Sequence, residues 1–217
     1  VEGFSKIGSY TGNGSDNGPI VETGFEPAFV MIKRSSGTGN WQIWDNKRST
    51  TNTRDKLLFP NDSAAEQTLA YVDFLSNGFQ IVDASGATGG TNVNINGSTY
   101  IYMAFASDQS AAPVLADSFG VETYQGNGGT QTLQGFGFTP SMIWFKGRTV
   151  AYDHGLYDGV RGGGSLIYPS LSQAASTVTN GVLSFNPGGV TVGSNNKANA
   201  SDSTYVGWAW KANPTPN

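Results

Sequence analysis

Two carboxylates in this sequence stand three residues before an arginine. Asp45 precedes Arg48, and Asp158 precedes Arg161. A carboxylate at this spacing can accept hydrogen bonds from the guanidinium and close a turn, or it can act as a catalytic acid or base. An adjacent arginine keeps an aspartate ionised, which disfavours acid catalysis. The spacing therefore predicts two structural ion pairs, and we assign no catalytic residue.

His154 is the single histidine, and it lies beside Asp153. A hydrolytic triad would need this residue as its base, but the chain has no Gly-x-Ser-x-Gly motif to supply the nucleophile. We interpret His154 as a loop-packing or solvent-exposed residue. One histidine and no cysteine also disfavour a transition-metal site.

Clustered oxygen donors raise the question of calcium, which prefers oxygen ligands. The donors form two groups, Asn13 with Asp16 and Asn17, and Asp83 with Asn92, Asn94 and Asn96. No Asp-x-Asp-x-Asp-Gly loop with a distal Glu is present. Asn and Asp also cap their own backbone in turns. The pattern favours turn formation, so no cofactor is predicted and calcium is the alternative.

Tryptophan side chains could stack on sugar rings or fill a hydrophobic core. Trp41 follows a Ser-Ser-Gly-Thr-Gly-Asn loop at 35–40 whose composition is not matched in the second half of the chain, where Gly147–Tyr152 stands instead. Loops that differ between related domains are where specific binding is added. The predicted ligand-binding residues are Trp41, Asn40 and Trp44, although Trp44 also suits a core position. We assign Trp44, Trp144 and either Trp208 or Trp210 mostly to the core, and Trp208 and Trp210 share one face of their strand.

The composition narrows the possible partners. The 217 residues carry a net charge of −4 and a pI near 4.8, so no basic field is available for nucleic acid. No apolar run approaches the roughly 20 residues that cross a bilayer, and we expect a soluble protein. Thirty glycines and only 13% charged residues favour strands joined by tight turns.

The second half of the chain repeats the first. Tyr-x-Gly-Asn-Gly occurs at Tyr10 and again at Tyr124. The motifs that follow keep the same order in both halves: Gly-Phe-x-Pro, Lys, Asp-x-x-Arg, Ser-Thr-Tyr and Ala-aromatic. The sequence therefore predicts repeat 1 at 10–106, a linker and strand entry at 107–123, and repeat 2 at 124–212.

Each repeat reads as a series of short strands. Apolar runs follow prolines at 28–33 and 141–146, and further runs follow turn signals at 79–82 and 189–192. The run at 99–105 alternates poorly, so we expect a strand covered on both faces. Segments 62–69 and 170–176 could each form a helical turn or two. The prediction is an all-β chain of two tandem β-sandwich repeats, of jelly-roll or concanavalin-like type, with little helix.

Taken together, these motifs resemble a domain found in tail-fibre and other virion structural proteins of marine bacteriophages. The strongest similarity runs from Gly137 to Lys211 and ends in Tyr-Val-Gly-Trp-Ala-Trp-Lys. Repeat 1 is similar but looser, with Tyr-Ile-Tyr-Met-Ala-Phe in the terminal position. The resemblance implies a lectin-like sandwich used for structure or host adhesion, and it transfers no catalytic residues.

From this resemblance we expect a non-enzymatic protein at the virion surface, either a tail fibre or a particle-decorating subunit. Its expected partners are other virion subunits, further copies of itself as a homo-oligomer, and host-surface glycans. One alternative is a carbohydrate-binding module of a secreted bacterial protein. The other is a glycan depolymerase, which would need two carboxylates about 5 to 10 Å apart across a groove.

Overall fold

A computed structural model describes residues 2–82, 92–106 and 118–212. Within these residues the secondary structure is strand, turn and bend, with no helix. The all-β prediction is confirmed. The helical turns expected at 62–69 and 170–176 do not form, because strands begin at Gln67 and Ser176 and the residues before each strand are irregular. No helix in the described ranges could cross a membrane.

The chain divides into two compact units. Unit 1 consists of Val1–Asn61 and Gln67–Ser107, and unit 2 consists of Asp62–Glu66 and Asp108–Asn217. Unit 1 starts before the predicted boundary at residue 10, because its first strand begins at Ser5. Most of the predicted linker, 107–117, lies outside the described residues.

The described part of unit 1 forms two antiparallel sheets of four strands each. The strands are β1 (Ser5–Thr11), β2 (Asn17–Glu22), β3 (Pro27–Arg34), β4 (Gln42–Asp45), β5 (Arg54–Leu57), β6 (Gln67–Leu75), β7 (Gly78–Val82) and β8 (Thr99–Ala106). One sheet has the order β1-β8-β3-β4, and the other has the order β2-β7-β6-β5. A single apolar cluster contains residues from both sheets, including Val30, Trp44, Phe74 and Phe79. Unit 1 is therefore a β-sandwich with its core between the sheets.

Unit 2 repeats this arrangement. Its described strands are β9 (Phe119–Gln125), β10 (Gln131–Leu133), β11 (Met142–Gly147), β12 (Gly155–Asp158), β13 (Ser165–Leu166), β14 (Ser176–Thr177), β15 (Val182–Asn186), β16 (Gly189–Val192) and β17 (Thr204–Trp210). The sheet β9-β17-β11-β12 corresponds strand for strand to β1-β8-β3-β4. Strands β10-β16-β15 and the pair β13-β14 form the opposing layer. The duplication read from the motifs is thus present in the topology.

The last strand of each sandwich differs between the units. In β17 all residues are buried or partly buried, as expected for a strand covered on both faces. In β8 the prediction is wrong, because exposed and buried residues alternate and Ile101 keeps 40% of its surface. The two central strands therefore meet different surroundings on their outer faces.

The Tyr-x-Gly-Asn-Gly motif ends the first strand of each unit and joins it to the segment before the last strand. In unit 1 the Tyr10 hydroxyl donates to Val93 O at 2.8 Å, and its ring stacks on Tyr100 at 5.0 Å. A Cβ at Gly12 would collide with Ile95 O, so only glycine fits there. In unit 2 the Tyr124 hydroxyl donates to Ala198 O at 2.6 Å in the same way.

A buried asparagine completes each of these junctions. Asn94, 1% exposed, accepts from Asn13 N at 2.8 Å and donates to Ser15 O at 2.7 Å. Asn199, fully buried, accepts from Asn127 N at 2.8 Å and donates to Gly129 O at 2.8 Å. Each amide therefore satisfies backbone groups of a turn about 70 residues or more away along the chain.

Each Asp-x-x-Arg segment closes the turn after its strand. Asp45 Oδ2 lies 2.5 Å from Arg48 Nε, and its Oδ1 accepts from Arg48 N at 2.9 Å. Asp158 is bonded to Arg161 through the same atoms, with Nε to Oδ2 at 2.6 Å. The difference lies in burial, since both side chains of the first pair are fully buried, whereas Arg161 and Asp158 are 33% and 20% exposed.

This difference predicts unequal stability effects. Asp45→Asn leaves a buried guanidinium without its counter-charge and should cost about 3 to 5 kcal/mol. Asp158→Asn weakens a solvent-screened pair and should cost about 1 kcal/mol or less. Urea denaturation gives the loss of stability, and hydrogen exchange in β4 and β12 reports each unit separately. Equal losses in the two variants would contradict the assignment.

The pH dependence of the Asp158 pair provides a control. The Arg161 backbone amide lowers the pKa of Asp158 below its ordinary 3.8; partial burial opposes this shift, and the Arg161 side chain adds to it. A carboxylate with a lowered folded-state pKa stabilises the fold above the unfolded-state pKa, and it loses that contribution as the pH falls through the folded value. The stability gap between wild type and Asp158→Asn should therefore close below pH 3.8.

Candidate functional site

The predicted ligand site lies just before β4 in unit 1. Trp41 and Asn40 are both partly exposed there. The Trp41 backbone amide donates to Asn61 Oδ1 at 2.8 Å, and Asn61 Nδ2 donates to Asn40 Oδ1 at 3.0 Å. The structure thus brings Trp41 and Asn40 together and adds Asn61, an exposed residue that follows β5.

The loop at 35–40 is fastened to the start of β8. Ser35 N and Ser35 Oγ both donate to Thr99 O, at 2.9 and 3.1 Å. Thr99 N donates to Ser36 Oγ at 3.0 Å. These bonds satisfy the backbone at the end of the strand and hold in place the polar loop that leads into Trp41.

Trp44 does not belong to this surface. Its side chain is fully buried in the core of unit 1, and the residue pairs with Val30 in the β3–β4 ladder. A ring without exposed area cannot stack on a ligand, so the ligand role of Trp44 is wrong and its assignment to the core is confirmed. Trp41 precedes β4 and Trp44 lies within it, so the two indoles have different environments.

Without Trp44, the site consists of a partly exposed indole beside two side-chain amides. The indole offers a flat apolar face, and the Asn40 and Asn61 amides offer both donors and acceptors. Such a combination suits sugar rings, which have apolar C–H faces and hydroxyl edges. Asn40, Trp41 and Asn61 include no side chain that changes charge near neutral pH.

Unit 2 has a different set of residues at the corresponding positions. His154 replaces Trp41, Asp153 replaces Asn40, and Ser170 replaces Asn61. The connecting bonds are preserved, because His154 N donates to Ser170 Oγ at 3.2 Å and Ser170 Oγ donates to Asp153 Oδ1 at 3.3 Å. The same local frame therefore carries an indole in one unit and an imidazole in the other.

The imidazole of His154 is fully buried and bonded through both nitrogens. Its Nδ1 accepts from Trp144 Nε1 at 2.8 Å, and its Nε2 lies 3.2 Å from Asp62 O. A carbonyl can only accept, so Nε2 carries the proton and the ring is the Nε2–H tautomer. The ring has a packing role, in agreement with the loop-packing interpretation.

The predicted core tryptophans of unit 2 lie on the outer face of their sheet. The core cluster contains Ile143 and Phe145, so Trp144 between them points the other way. Trp144 faces Trp208 across the β11–β17 ladder, with ring centroids 5.7 Å apart. Trp208 is fully buried on this outer face, and Trp210 shares the face and is partly exposed.

An aromatic and charged cluster also surrounds Lys197 in unit 2. Its Nζ lies 5.6 Å from the Tyr152 ring centroid, 5.9 Å from that of Tyr168 and 3.5 Å from Asp153 Oδ2. The ammonium is thus held by two rings and a carboxylate. Sequence analysis missed this cluster because its members are far apart along the chain.

The calcium candidates described by the structure include several that are engaged in hydrogen bonds with the protein. Asn13 Oδ1 accepts from Ser15 N and from Asn94 Nδ2, both at 3.0 Å. Asn92 Oδ1 accepts from Asn94 N at 2.7 Å. Asp83 lies outside the described residues. In the described ranges, no group of three or more His, Asp or Glu side chains is placed to hold a metal ion.

A groove of about 610 Å³ lies elsewhere on unit 1. Its lining is polar and has no aromatic side chain: Glu2, Gly3, Ser5, Lys6, Glu22, Thr23, Gly24 and Asn77. Without an apolar ring it offers no stacking surface. The surface at Trp41, Asn40 and Asn61 is therefore the better candidate, and we call it the Trp41 site.

The repeat contains a short signal for Asn61. The segment Leu-Leu-Phe-Pro-Asn at 57–61 matches Leu-Ile-Tyr-Pro-Ser at 166–170, which places Asn61 opposite Ser170. The β-bridges Ile43 to Leu58 and Leu156 to Ile167 confirm this alignment. The signal is short, and it becomes convincing only when the paired strands are known.

Comparison with known proteins gives one family. A domain of unknown function, DUF7483, matches twice, over residues 1–109 and 115–217. No curated protein and no solved structure matches this chain. The two matches cover nearly all of the sequence and coincide with the duplication seen in the topology, so the chain belongs to the DUF7483 family and carries two tandem copies of its domain.

Proposed function

We propose that this chain is a non-enzymatic virion subunit of a bacteriophage, a tail-fibre or particle-decorating protein that braces the particle and adheres to host-surface glycans. The observation that carries the adhesive role is the Trp41 site, where a partly exposed indole lies beside the hydrogen-bonded amides of Asn40 and Asn61. The virion assignment rests on the resemblance of both repeats to tail-fibre domains.

The way the polar residues are used supports a binding role. Asp45 and Asp158 are each bonded to an arginine and to backbone amides, which holds them in turns. His154 is buried and bonded through both ring nitrogens. A glycan depolymerase would use such groups as its acid, base or nucleophile, and here they have structural partners.

The bracing role is supported by the duplication. Two copies of one sandwich in a single chain give a repeated surface, and repeated domains are suited to extended assemblies. The second candidate, a carbohydrate-binding module of a secreted bacterial protein, would use the same Trp41 site. The two proposals differ in whether a phage particle or a secreted bacterial protein carries the domain, and in both the ligand is a glycan.

Glycan binding is the first test. Wild-type protein should bind a subset of glycans on an array, and Trp41→Ala should lower the affinity at least about tenfold because the stacking face is lost. Trp41→Phe keeps an aromatic face and should lose less. Trp44→Phe is a matched control for altered stability, since its ring is buried. Absence of binding by wild type to any glycan would contradict the adhesive role.

The virion assignment has its own test. Antibodies raised against this chain should label purified phage particles in immunogold electron microscopy, at regularly repeated positions on the tail or the capsid. Labelling of secreted bacterial protein instead, with unlabelled particles, would favour the carbohydrate-binding module. Glycan binding can be positive in either case, so the two tests fail independently.

A further inference from the structure

The two repeats contain equivalent loops with unequal surroundings. The loop between β5 and β6 covers 58–66, and the loop between β13 and β14 covers 167–175. Their flanking pairs correspond, because Leu57 pairs with Gln67 and Leu166 pairs with Ser176. The sequences Leu-Phe-Pro-Asn-Asp-Ser-Ala-Ala-Glu and Ile-Tyr-Pro-Ser-Leu-Ser-Gln-Ala-Ala therefore align without a gap.

The end of the first loop is part of unit 2. Within that unit, Lys146 Nζ donates to Ser63 O at 3.1 Å, and His154 Nε2 donates to Asp62 O at 3.2 Å. Glu66 N donates to Arg148 O at 2.8 Å. The first two bonds supply acceptors to the buried Lys146 ammonium and the buried His154 imidazole, and both groups are costly to leave unpaired.

An ion pair adds to this contact. Arg148 Nε and Nη2 donate to the two carboxylate oxygens of Glu66 at 3.0 and 2.9 Å. The pair is bidentate, with the Arg148 and Glu66 side chains only 22% and 10% exposed. Asp62–Glu66 is thus bound to the outer face of the β9-β17-β11-β12 sheet through both backbone and side-chain groups.

The same outer face in unit 1 is more open. Lys33 corresponds to Lys146, and among the described residues its Nζ has one hydrogen bond, to Arg34 O at 2.7 Å. Lys33 faces Ile101 across the ladder, as Lys146 faces Val206. Ile101 is 40% exposed, whereas Val206 and Lys146 are fully buried.

The loop that corresponds to Asp62–Glu66 is also open. Residues 171–175 of unit 2 are all exposed, and Leu171 keeps 44% of its surface. Among the described residues, the loop at 171–175 is thus exposed in unit 2, and the face of unit 1 that corresponds to the covered one is only partly buried.

The substitutions in the loop match those on the face. Unit 2 pairs Glu66 with Arg148. The corresponding residues are Ala175 in the open loop and Ser35 on the open face, so both charges of the ion pair are absent there. Where Asp62 meets His154, the open loop has Leu171 and the open face has Trp41, and both of these side chains are apolar. The differences between the two loops therefore match the differences between the two faces.

The residue types of the lysine contact are the same in the open pair. Ser172 corresponds to Ser63, and its backbone carbonyl can accept from Lys33 as Ser63 O accepts from Lys146. The indole N–H of Trp41 can donate to the carbonyl of Leu171 in the same way that the His154 imidazole donates to its loop. The contact seen in unit 2 can therefore be built a second time from residues of two molecules.

We propose that residues 171–175 of one molecule dock on the outer face formed by Lys33, Ser35, Trp41 and Ile101 of a second copy of this chain. The contact joins different surfaces of the two molecules, so it is heterologous and forms an open head-to-tail chain or a closed ring. This inference goes beyond the proposed function, because it names a partner and a geometry of assembly that glycan adhesion does not require.

The test uses two variants that each disable one side. Leu171→Asp places a charge on the exposed loop, and Lys33→Met removes the ammonium from the face. Wild type should show a weight-average mass that rises past the dimer in analytical ultracentrifugation between about 10 µM and 1 mM, as expected for a small and weak interface. Each variant alone should associate at least about tenfold more weakly.

Mixing the two variants gives the decisive readout. Leu171→Asp retains its face and Lys33→Met retains its loop, so an equimolar mixture has one working contact and should form dimers and nothing larger. A symmetric interface would give a mixed dimer as well, but it would hold wild type at the dimer and not beyond it. Gln173→Ala, a neutral change at an exposed position of the same loop, serves as the matched control and should associate like wild type.

Three results would overturn the proposal: wild type that stays monomeric at every concentration, variants that associate like wild type, or a mixture that forms no dimer. Thermal unfolding of each variant excludes loss of folding, which is not expected for Leu171→Asp because the position is exposed. Leu171→Asp should still bind glycan, so loss of association with intact glycan binding separates this inference from the proposed function.

Discussion

The fold depends on two buried asparagine amides, one in each unit. Each amide joins the turn after the first strand to the segment before the last strand. A sandwich must satisfy the backbone groups of the turn that follows its first strand, and here a side chain from the far end of the domain does so. Asn94 and Asn199 are at most 1% exposed, and each bonds a turn about 70 residues or more away. An amide in a dry interior is favourable only when its donors and acceptors are paired, so these residues fix how the ends of each domain meet.

The outer face of the sheet is where the two domains diverge. In unit 2 this face contains a buried lysine and a buried histidine that are bonded to carbonyls of Asp62–Glu66. In unit 1 the equivalent positions hold Lys33 and Trp41, and both are partly exposed. The core faces and strand order are alike, so the divergence reflects what each outer face contacts. The proposed adhesion uses the Trp41 indole, and the proposed assembly uses Lys33 together with the same indole.

Sequence reasoning recovered the class of the fold, the duplication and the two Asp-x-x-Arg turns, because these depend on local motifs. It failed where tertiary contacts decide. The inclusion of Trp44 among the ligand contacts is wrong because its ring lies in the core, and Trp144 and Trp208 lie on the outer face of their sheet. The exposure of Ile101 was missed for the same reason, since an apolar run does not reveal whether its second face is covered. Asn61 entered the candidate site only when strand pairing fixed the alignment of the repeats.

The most direct test of this account replaces each closing asparagine by leucine, which keeps the branching at Cγ and removes every hydrogen bond of the amide. Asn94→Leu leaves several turn groups unpaired and should cost about 3 kcal/mol or more. Hydrogen exchange should then rise in β1 and β8 but not in β9 and β17, and Asn199→Leu should give the reverse pattern. Unchanged exchange in both variants would contradict the claim that the buried amides close the two domains.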